Sequence, residues 1–540
     1  MKRELHPEFY KTAEHLLLVS RVATGFSTIL AAWYSLSALK IALPEPGSVQ
    51  PFHLTYFHVE PAWAAILSLA YLPVLKYASL SLLLLAFAPP WVLAVASIMT
   101  LVVHRKDAVK GLLWALLLLE VFALVENTAS LLGLRVFGLV AHIERSLRLA
   151  ASTTALPLIA ALALLGPLKY IDRLVKLGEG QAGKSQGTSG GGPLVLRDLA
   201  PAVLLSLAIV SLPYLPTLNP SGKLVGVDPT TYYPEWIGEL KANFTFKHPA
   251  LRSRPIFVLM IYGLSQLVGV YWSMRIMQML GFAAFTIAIY FFTLLLTDGY
   301  TARLAALLFP FSYTATILLH SGFYNNIFAS SFSLPALALI WTAFRANNSK
   351  RLTLGILLFE IAIFTHPYST LFYAIALAGS AILELLKNAR RGFFLFLLSI
   401  LFAIQSEIIS AGFGEQSLAE IAAAPALPLT ASWYQALAFV AYNCALNAAI
   451  DITNWLLANK GLLSTEDEIL IGIGAVTGGA LLIVPLDSWL LRWRALYSIP
   501  LPTFHAIALK NLKYLIKILI IVMMANYVLN FTMNLTLSGT

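Results

Sequence analysis

The sequence predicts an all-α, polytopic integral membrane protein with about 13 to 15 membrane-spanning helices. Three observations carry that prediction. Of 540 residues, 59% are apolar and only 11% are charged, with a mean hydropathy of +0.78, whereas a soluble domain carries roughly 25% charge. Apolar runs long enough to cross a bilayer recur along the whole chain. The basic residues that give a net charge of +10 sit in short clusters between those runs, not along one stripe. Too few charges exist to solvate a globule of this size, so a soluble enzyme, a disordered chain and a coiled coil are excluded. The clustered cations fit loops at a membrane face and give no footprint for nucleic acid. The one cysteine, Cys444, has no partner for an internal disulfide and reads as a buried thiol.

A spanning helix needs about 20 apolar residues, because the bilayer core offers no water to backbone N–H and C=O groups. Residues 13–43, 78–103, 111–132, 149–168, 198–217, 271–296, 302–319, 328–345, 352–367, 370–386, 392–412, 433–458, 468–486, 494–510 and 516–536 satisfy that requirement, with 494–510 the weakest. The basic N-terminus (Lys2, Arg3, Lys11) precedes a long apolar run without a small-residue cleavage site, which reads as a retained span.

Placing the N-terminus in the cytoplasm puts five basic groups on one side: His104 to Lys106, Lys169 to Arg197, Arg345 with Lys350 and Arg351, Lys387 with Arg390 and Arg391, and Lys510 with Lys513 and Lys517. The outer loops 44–60 and 413–432 then carry only acidic charges. Two outer segments oppose the rule. One is 133–148 with Arg135, Arg145 and Arg148; the other is 218–254 with Lys223, Lys241, Lys247, Arg252 and Arg254. Cations placed against the orientation rule point to an anionic ligand, although long loops translocate whatever their charge.

Residues 178–192 are polar and Gly-rich, and they divide the chain into an N-terminal module of about four helices (1–177), a cytoplasmic linker (178–197) and a larger core (198–540). The linker also matches the phosphate-loop pattern at Gly178, Gly183, Lys184 and Ser185. No strand precedes the match and more glycine follows it, so it reads as a chance match in Gly-rich sequence.

The richest chemistry follows the linker. After the span at 198–217 come Asp228-Pro-Thr-Thr-Tyr232-Tyr233-Pro-Glu235-Trp236, then His248-Pro-Ala-Leu-Arg252-Ser-Arg254-Pro, then Arg275 opening the next span. Further on lie the turn Thr297-Asp-Gly-Tyr-Thr-Ala-Arg303 and the loop His320-Ser-Gly-Phe-Tyr324-Asn325-Asn326. This ordered series, through 198–386, resembles the GT-C superfamily of polytopic glycosyltransferases, with a weaker echo at Arg492-Trp-Arg494 to Pro500. The chain departs from the family pattern in three ways. It has one acidic residue in the first loop where many members have a pair, Asn325 and Asn326 where metal-dependent members place a carboxylate, and no Trp-Trp-Asp signature. Residues 1–170 match nothing in that series.

The resemblance implies sugar transfer from a polyisoprenyl-phosphate donor to a protein, lipid or glycan acceptor at the outer face, among membrane lipids and without nucleic acid. Asp228 would be the catalytic base for an inverting transfer; its bland alternative is a turn cap before Pro229. Arg252, Arg254, Arg492 and Arg494 would grip phosphate, since guanidinium forms a bidentate fork. His248, Tyr232, Tyr233, Tyr324, Asn325 and His366 complete the substrate-binding candidates. Glu235 and Glu239 would share one helical face, with Glu239 read as merely solvated. No cofactor is required, no close ligand spacing marks a metal site, and dependence on a divalent metal stays open. Glu120, Glu126, Glu360 and Glu407 within apolar runs keep a second class alive, a transporter or flippase of lipid-linked sugars. The sequons at Asn243, Asn530 and Asn534 face outward in this topology, and that at Asn347 does not.

Overall fold

The computed structural model describes residues 43–44, 54–55, 105–134, 138–179, 196–411, 451–483 and 499–538. Apart from a two-residue antiparallel pairing of β1 (Leu43–Pro44) with β2 (Leu54–Thr55), the described secondary structure is helical. Six helices among the described residues are long and apolar enough to cross a membrane, or seven if one bent pair counts as a single span. The protein is therefore an all-α polytopic membrane protein. The proposed span 13–43 except Leu43, the span 78–103, most of 433–458 and most of the linker lie outside the described residues.

The chain forms two compact units: residues 1–154 with 512–530, and residues 155–511 with 531–540. The first unit contains α1 (Arg105–Leu131), the start of α2 (Leu139–Gly178) and most of α17 (Tyr514–Ser538). Its apolar helices enclose a polar cluster. Arg148 pairs with Glu144 at 2.6 Å and Glu120 at 3.4 Å, and it donates to the Met523 carbonyl at 2.9 Å. Asn526 donates to Glu120 at 2.7 Å, Asn530 to Glu144 at 2.7 Å and Asn127 to Asn526 at 3.3 Å. Buried charge persists in such surroundings only when paired and hydrogen-bonded. Two expectations are corrected here. Arg148 is not an outer-loop cation but a helical residue neutralised inside the unit. Asn530 is buried, so its sequon offers no site for a glycan.

The second unit holds the rest of α2 and the helices α3 (Leu196–Ser211), α4 (Val227–Thr230), α5 (Tyr232–Ala242), α6 (Pro249–Ser253), α7 (Pro255–Leu296), α8 (Gly299–Leu308), α9 (Tyr313–Ser321) and α10 (Tyr324–Ala346). It continues with α11 (Ser349–Thr365), α12 (Pro367–Lys387), α13 (Ala389–Ala411), α14 (Ile452–Ser464), α15 (Glu468–Ile483) and α16 (Leu501–Lys510). The consecutive helices α10 to α13 are joined by very short turns and pack against one another. Short connections force antiparallel neighbours.

Four boundaries differ from those read in the sequence. Helix α3 ends at Ser211, passing through a 3-10 turn at Leu212–Tyr214 that contains Pro213. The helix expected at 271–296 begins at Pro255 and runs 42 residues, about 63 Å at helical rise and twice a bilayer core. Gly269, at φ 79° and ψ 165°, breaks it into a shorter first segment and a spanning second one. The expected span 302–319 is a pair bent by 41° between Phe311 and Tyr313. Pro310 and the Ser312 cap account for the break. The helix sought at 494–510 is described only as α16, from Leu501.

Candidate functional site

Asp228 stands in the first turn of α4. The turn is held by two glycines. Gly226, at φ 105°, precedes it, and a Cβ built there would fall 2.7 Å from both the backbone N and the Cα of Gly322. Gly322, at φ 72°, ends α9, and a Cβ on it would meet Pro229 Cδ at 2.2 Å. No side chain fits either position, so the Asp228 turn lies directly on the turn that leads into α10.

That contact brings two distant loops together. The Tyr233 hydroxyl, buried on α5, donates to Asp228 Oδ2 at 2.9 Å and reaches Asn325 Oδ1 at 3.2 Å. Asn325 Oδ1 also accepts from the Asn326 backbone N–H at 2.9 Å and from Asn326 Nδ2 at 3.0 Å. Asn326 Oδ1 accepts from the Ser369 hydroxyl at 2.5 Å, and Ser369 lies 3.1 Å from His366 Nδ1. A continuous polar chain thus runs from Asp228 through Tyr233, Asn325, Asn326 and Ser369 to His366. Burial and the neighbouring Asp228 carboxylate hold the Tyr233 hydroxyl well above its ordinary pKa, opposed by the Arg254 charge. Tyr233 therefore stays a protonated donor to the Asp228 carboxyl group.

His366 is placed by its own sequence. Pro367 disfavours a helical conformation for the residue before it, so α11 stops and His366 is extended at φ −160° and ψ 96°. Its Nδ1 then accepts the Ser369 backbone N–H at 3.1 Å and caps α12. A neutral ring in that role carries its proton on Nε2.

Aromatic and cationic groups flank the chain. Tyr233 packs against Trp236 at 5.4 Å, Phe257 at 5.0 Å and Tyr324 at 5.6 Å between ring centroids. The Arg254 guanidinium lies 5.3 Å over the Trp236 ring. Arg275 lies 4.0 Å over Tyr214, and the charges of both Arg275 and Asp228 reach the Tyr324 hydroxyl. The resulting set couples one carboxylate, one hydroxyl donor, amides and two guanidinium groups stacked on aromatic rings. It can take a proton from a hydroxyl and neutralise an anion.

Of the sequence-predicted residues, Asp228, Tyr233, Tyr324, Asn325 and His366 meet in this arrangement, with Arg254 beside it. Arg252 is exposed, and Tyr232 is half exposed with its ring centroid 6.5 Å from that of Trp236. His248 caps α6 and pairs with Glu239 at 2.7 Å, so Glu239 is a partner of that loop and not simply solvated. Arg492 and Arg494 lie outside the described residues. Sequence reasoning missed Asn326 and Ser369 as site members. It also read Trp236 and Arg275 only as pattern and did not single out Tyr214. Asn326 beside Asn325, and Ser369 three residues after His366, were the available signals. Among the described residues, no group of three or more His, Cys, Asp or Glu side chains is placed to hold a metal ion. Comparisons with protein-family models, curated proteins and solved structures found no match.

Proposed function

We propose that this protein is a membrane glycosyltransferase of GT-C type that moves a sugar from a polyisoprenyl-phosphate donor to an acceptor hydroxyl at the outer face of the membrane. The observation that carries the reading is the polar chain from Asp228 to His366, assembled where α4, α5, α9, α10, α11 and α12 end or begin, with Arg254 at its edge. Asp228 takes the acceptor proton as the acceptor oxygen bonds to the anomeric carbon. The carbon–phosphate oxygen bond breaks on the opposite side, its electron pair leaves with the polyisoprenyl phosphate, and configuration inverts. Arg254 meets the growing phosphate charge, and Tyr233 fixes the carboxylate through Oδ2. Arg252, His248 and Tyr232 lie on the same segment, 218–254, as Asp228 and Arg254, and the departure of Asn325 and Asn326 from the metal-binding pattern suits transfer driven by these cations.

The test is direct: purified protein is incubated with a panel of polyisoprenyl-phosphate hexoses, and release of polyisoprenyl phosphate is measured. Release dependent on a hydroxyl acceptor supports the reading; no release from any donor, with protein shown to be folded, sinks it. The second reading, an ion-coupled transporter or flippase, is favoured by the buried Glu120, Glu144 and Arg148 of the first unit. Ion-driven uptake into proteoliposomes that persists in Asp228→Asn would favour it.

A further inference from the structure

A second polar site lies in the larger unit, at the C-terminal part of α2. Lys169, Arg173 and Lys176 follow one another at helical spacing and line a cavity of about 350 Å³. Leu165, Leu168 and Leu463 supply its apolar wall, and Asp172 and Glu466 its carboxylates.

The three cations are unevenly engaged. Lys169 Nζ donates to the Leu463 carbonyl at 2.7 Å, one of the three hydrogen bonds an ammonium can make. Lys176 pairs with Asp172 at 2.7 Å, but both side chains are more than half exposed, so the pair is weak and readily displaced. Arg173 grips buried Glu468 at 2.7 Å through Nη2 and lies 3.7 Å from the exposed Glu466. Its Nε is buried and, among the described residues, donates to no acceptor. Lys169 has ammonium hydrogens to spare and the exposed Lys176–Asp172 pair opens readily, so several acceptor oxygens on one anion in the cavity would engage both lysines beside Arg173.

The surroundings identify the anion. On the same stretch of α2, further round the helix from the cationic row, Leu164, Leu168, Ile171 and Val175 form a stripe at helical spacing with relative exposures of 45, 58, 54 and 52%. Such a stripe is stable against acyl chains, not against water. Leu168 belongs to both the stripe and the cavity wall. We infer that the cavity binds the phosphate of an anionic membrane lipid, with Lys169, Arg173 and Lys176 around the head group and the acyl chains lying along the exposed stripe. This inference is independent of the sugar-transfer reading.

Lipid retention by the purified 540-residue chain in detergent, measured by native mass spectrometry with phosphatidylglycerol and phosphatidylcholine as probes, tests it. One phosphatidylglycerol should be held in preference to phosphatidylcholine, and millimolar inorganic phosphate should not displace it. Each lysine near a lipid head group contributes about fivefold, so Lys176→Gln should weaken retention by about fivefold and Lys169→Gln/Lys176→Gln by about 30-fold. Lys176 is half exposed, so its single variant reports on binding without threatening the fold. Equal retention by parent and variants, or equal retention of the two lipids, overturns the inference. Displacement by inorganic phosphate would assign the cavity to a soluble phosphate and overturn the lipid assignment.

Discussion

Arg252 and Arg254 are two residues apart, yet their settings differ. Arg252 is exposed, while the Arg254 guanidinium is partly buried, lies over Trp236 and acts electrostatically on Tyr233. A cation held on an aromatic face beside the carboxylate is already oriented, and a guanidinium–phosphate pair shielded from water is worth about 2 to 4 kcal/mol. Arg254→Ala is accordingly predicted to weaken donor binding by about one to three decades. Arg254→Lys should recover only part, because ammonium keeps the charge and loses the fork. Titration with a polyisoprenyl-phosphate sugar checks both, and parent-like affinity in Arg254→Ala would reduce the residue to a membrane-edge cation. Tyr233→Phe keeps the ring that packs on Trp236, Phe257 and Tyr324 and removes only the hydroxyl shared by Asp228 and Asn325. The predicted result is a stability loss of about 1 to 2 kcal/mol with kcat lowered and KM nearly unchanged. An unchanged kcat would make Tyr233 a packing residue.

At the scale of elements, the site depends on the turn before α4 lying against the turn before α10. Gly322→Ala would force a left-handed backbone position onto a side chain and drive its methyl group into Pro229. The expected outcome is a loss of about 2 kcal/mol or more, seen in thermal melting, and a fall in activity larger than the fall in folded protein. An alanine variant with the parent's melting temperature and turnover would mean that this contact does not position Asp228.

Helices such as α10, α12 and α13 were legible in the sequence because an apolar run of spanning length has few other solutions in a bilayer. The break at Gly269 was not, since a glycine in an apolar run is as often tolerated as bent. Nor was the pairing of Tyr233 with Asn325 or of Asn326 with Ser369. Those contacts join residues 92 and 43 positions apart; the first needs the α4–α5 loop to lie on the turn before α10, and the second needs α10 to pack against α12. What the sequence did offer was residue type: an Asp beside aromatics, amides in a short loop, and a His-Pro helix boundary.

Across the larger unit, polar chemistry gathers at opposite helix ends. Asn325 and Asn326 begin α10, while Arg345 lies in its last turn; Ser369 begins α12, while Lys387 ends it. Arg345 and Lys387 join Arg173 on the buried carboxylate of Glu468. Residues from three of the basic groups read in the sequence thus meet at one point. Glu468→Gln would remove the buried carboxylate that three cations share, leaving Arg345 with Asp467 and Arg173 with the exposed Glu466, and a cost of about 3 to 5 kcal/mol is predicted, measured as lost yield of folded protein and a lowered melting temperature. A variant as stable as the parent would show that the cations find other partners. Because this cluster is at the other end of α10 and α12, any folded Glu468→Gln protein should retain the donor affinity of the parent.

In the proposed function, Asp228 removes the acceptor proton. Turnover of a polyisoprenyl-phosphate sugar by purified parent and Asp228→Asn proteins, at matched folded concentration and with donor binding measured in parallel, tests it most directly. General-base catalysis contributes about 10² to 10⁴ in rate. The predicted result is therefore a fall in turnover of about a hundredfold or more with donor binding largely intact; equal turnover by the two proteins would contradict it.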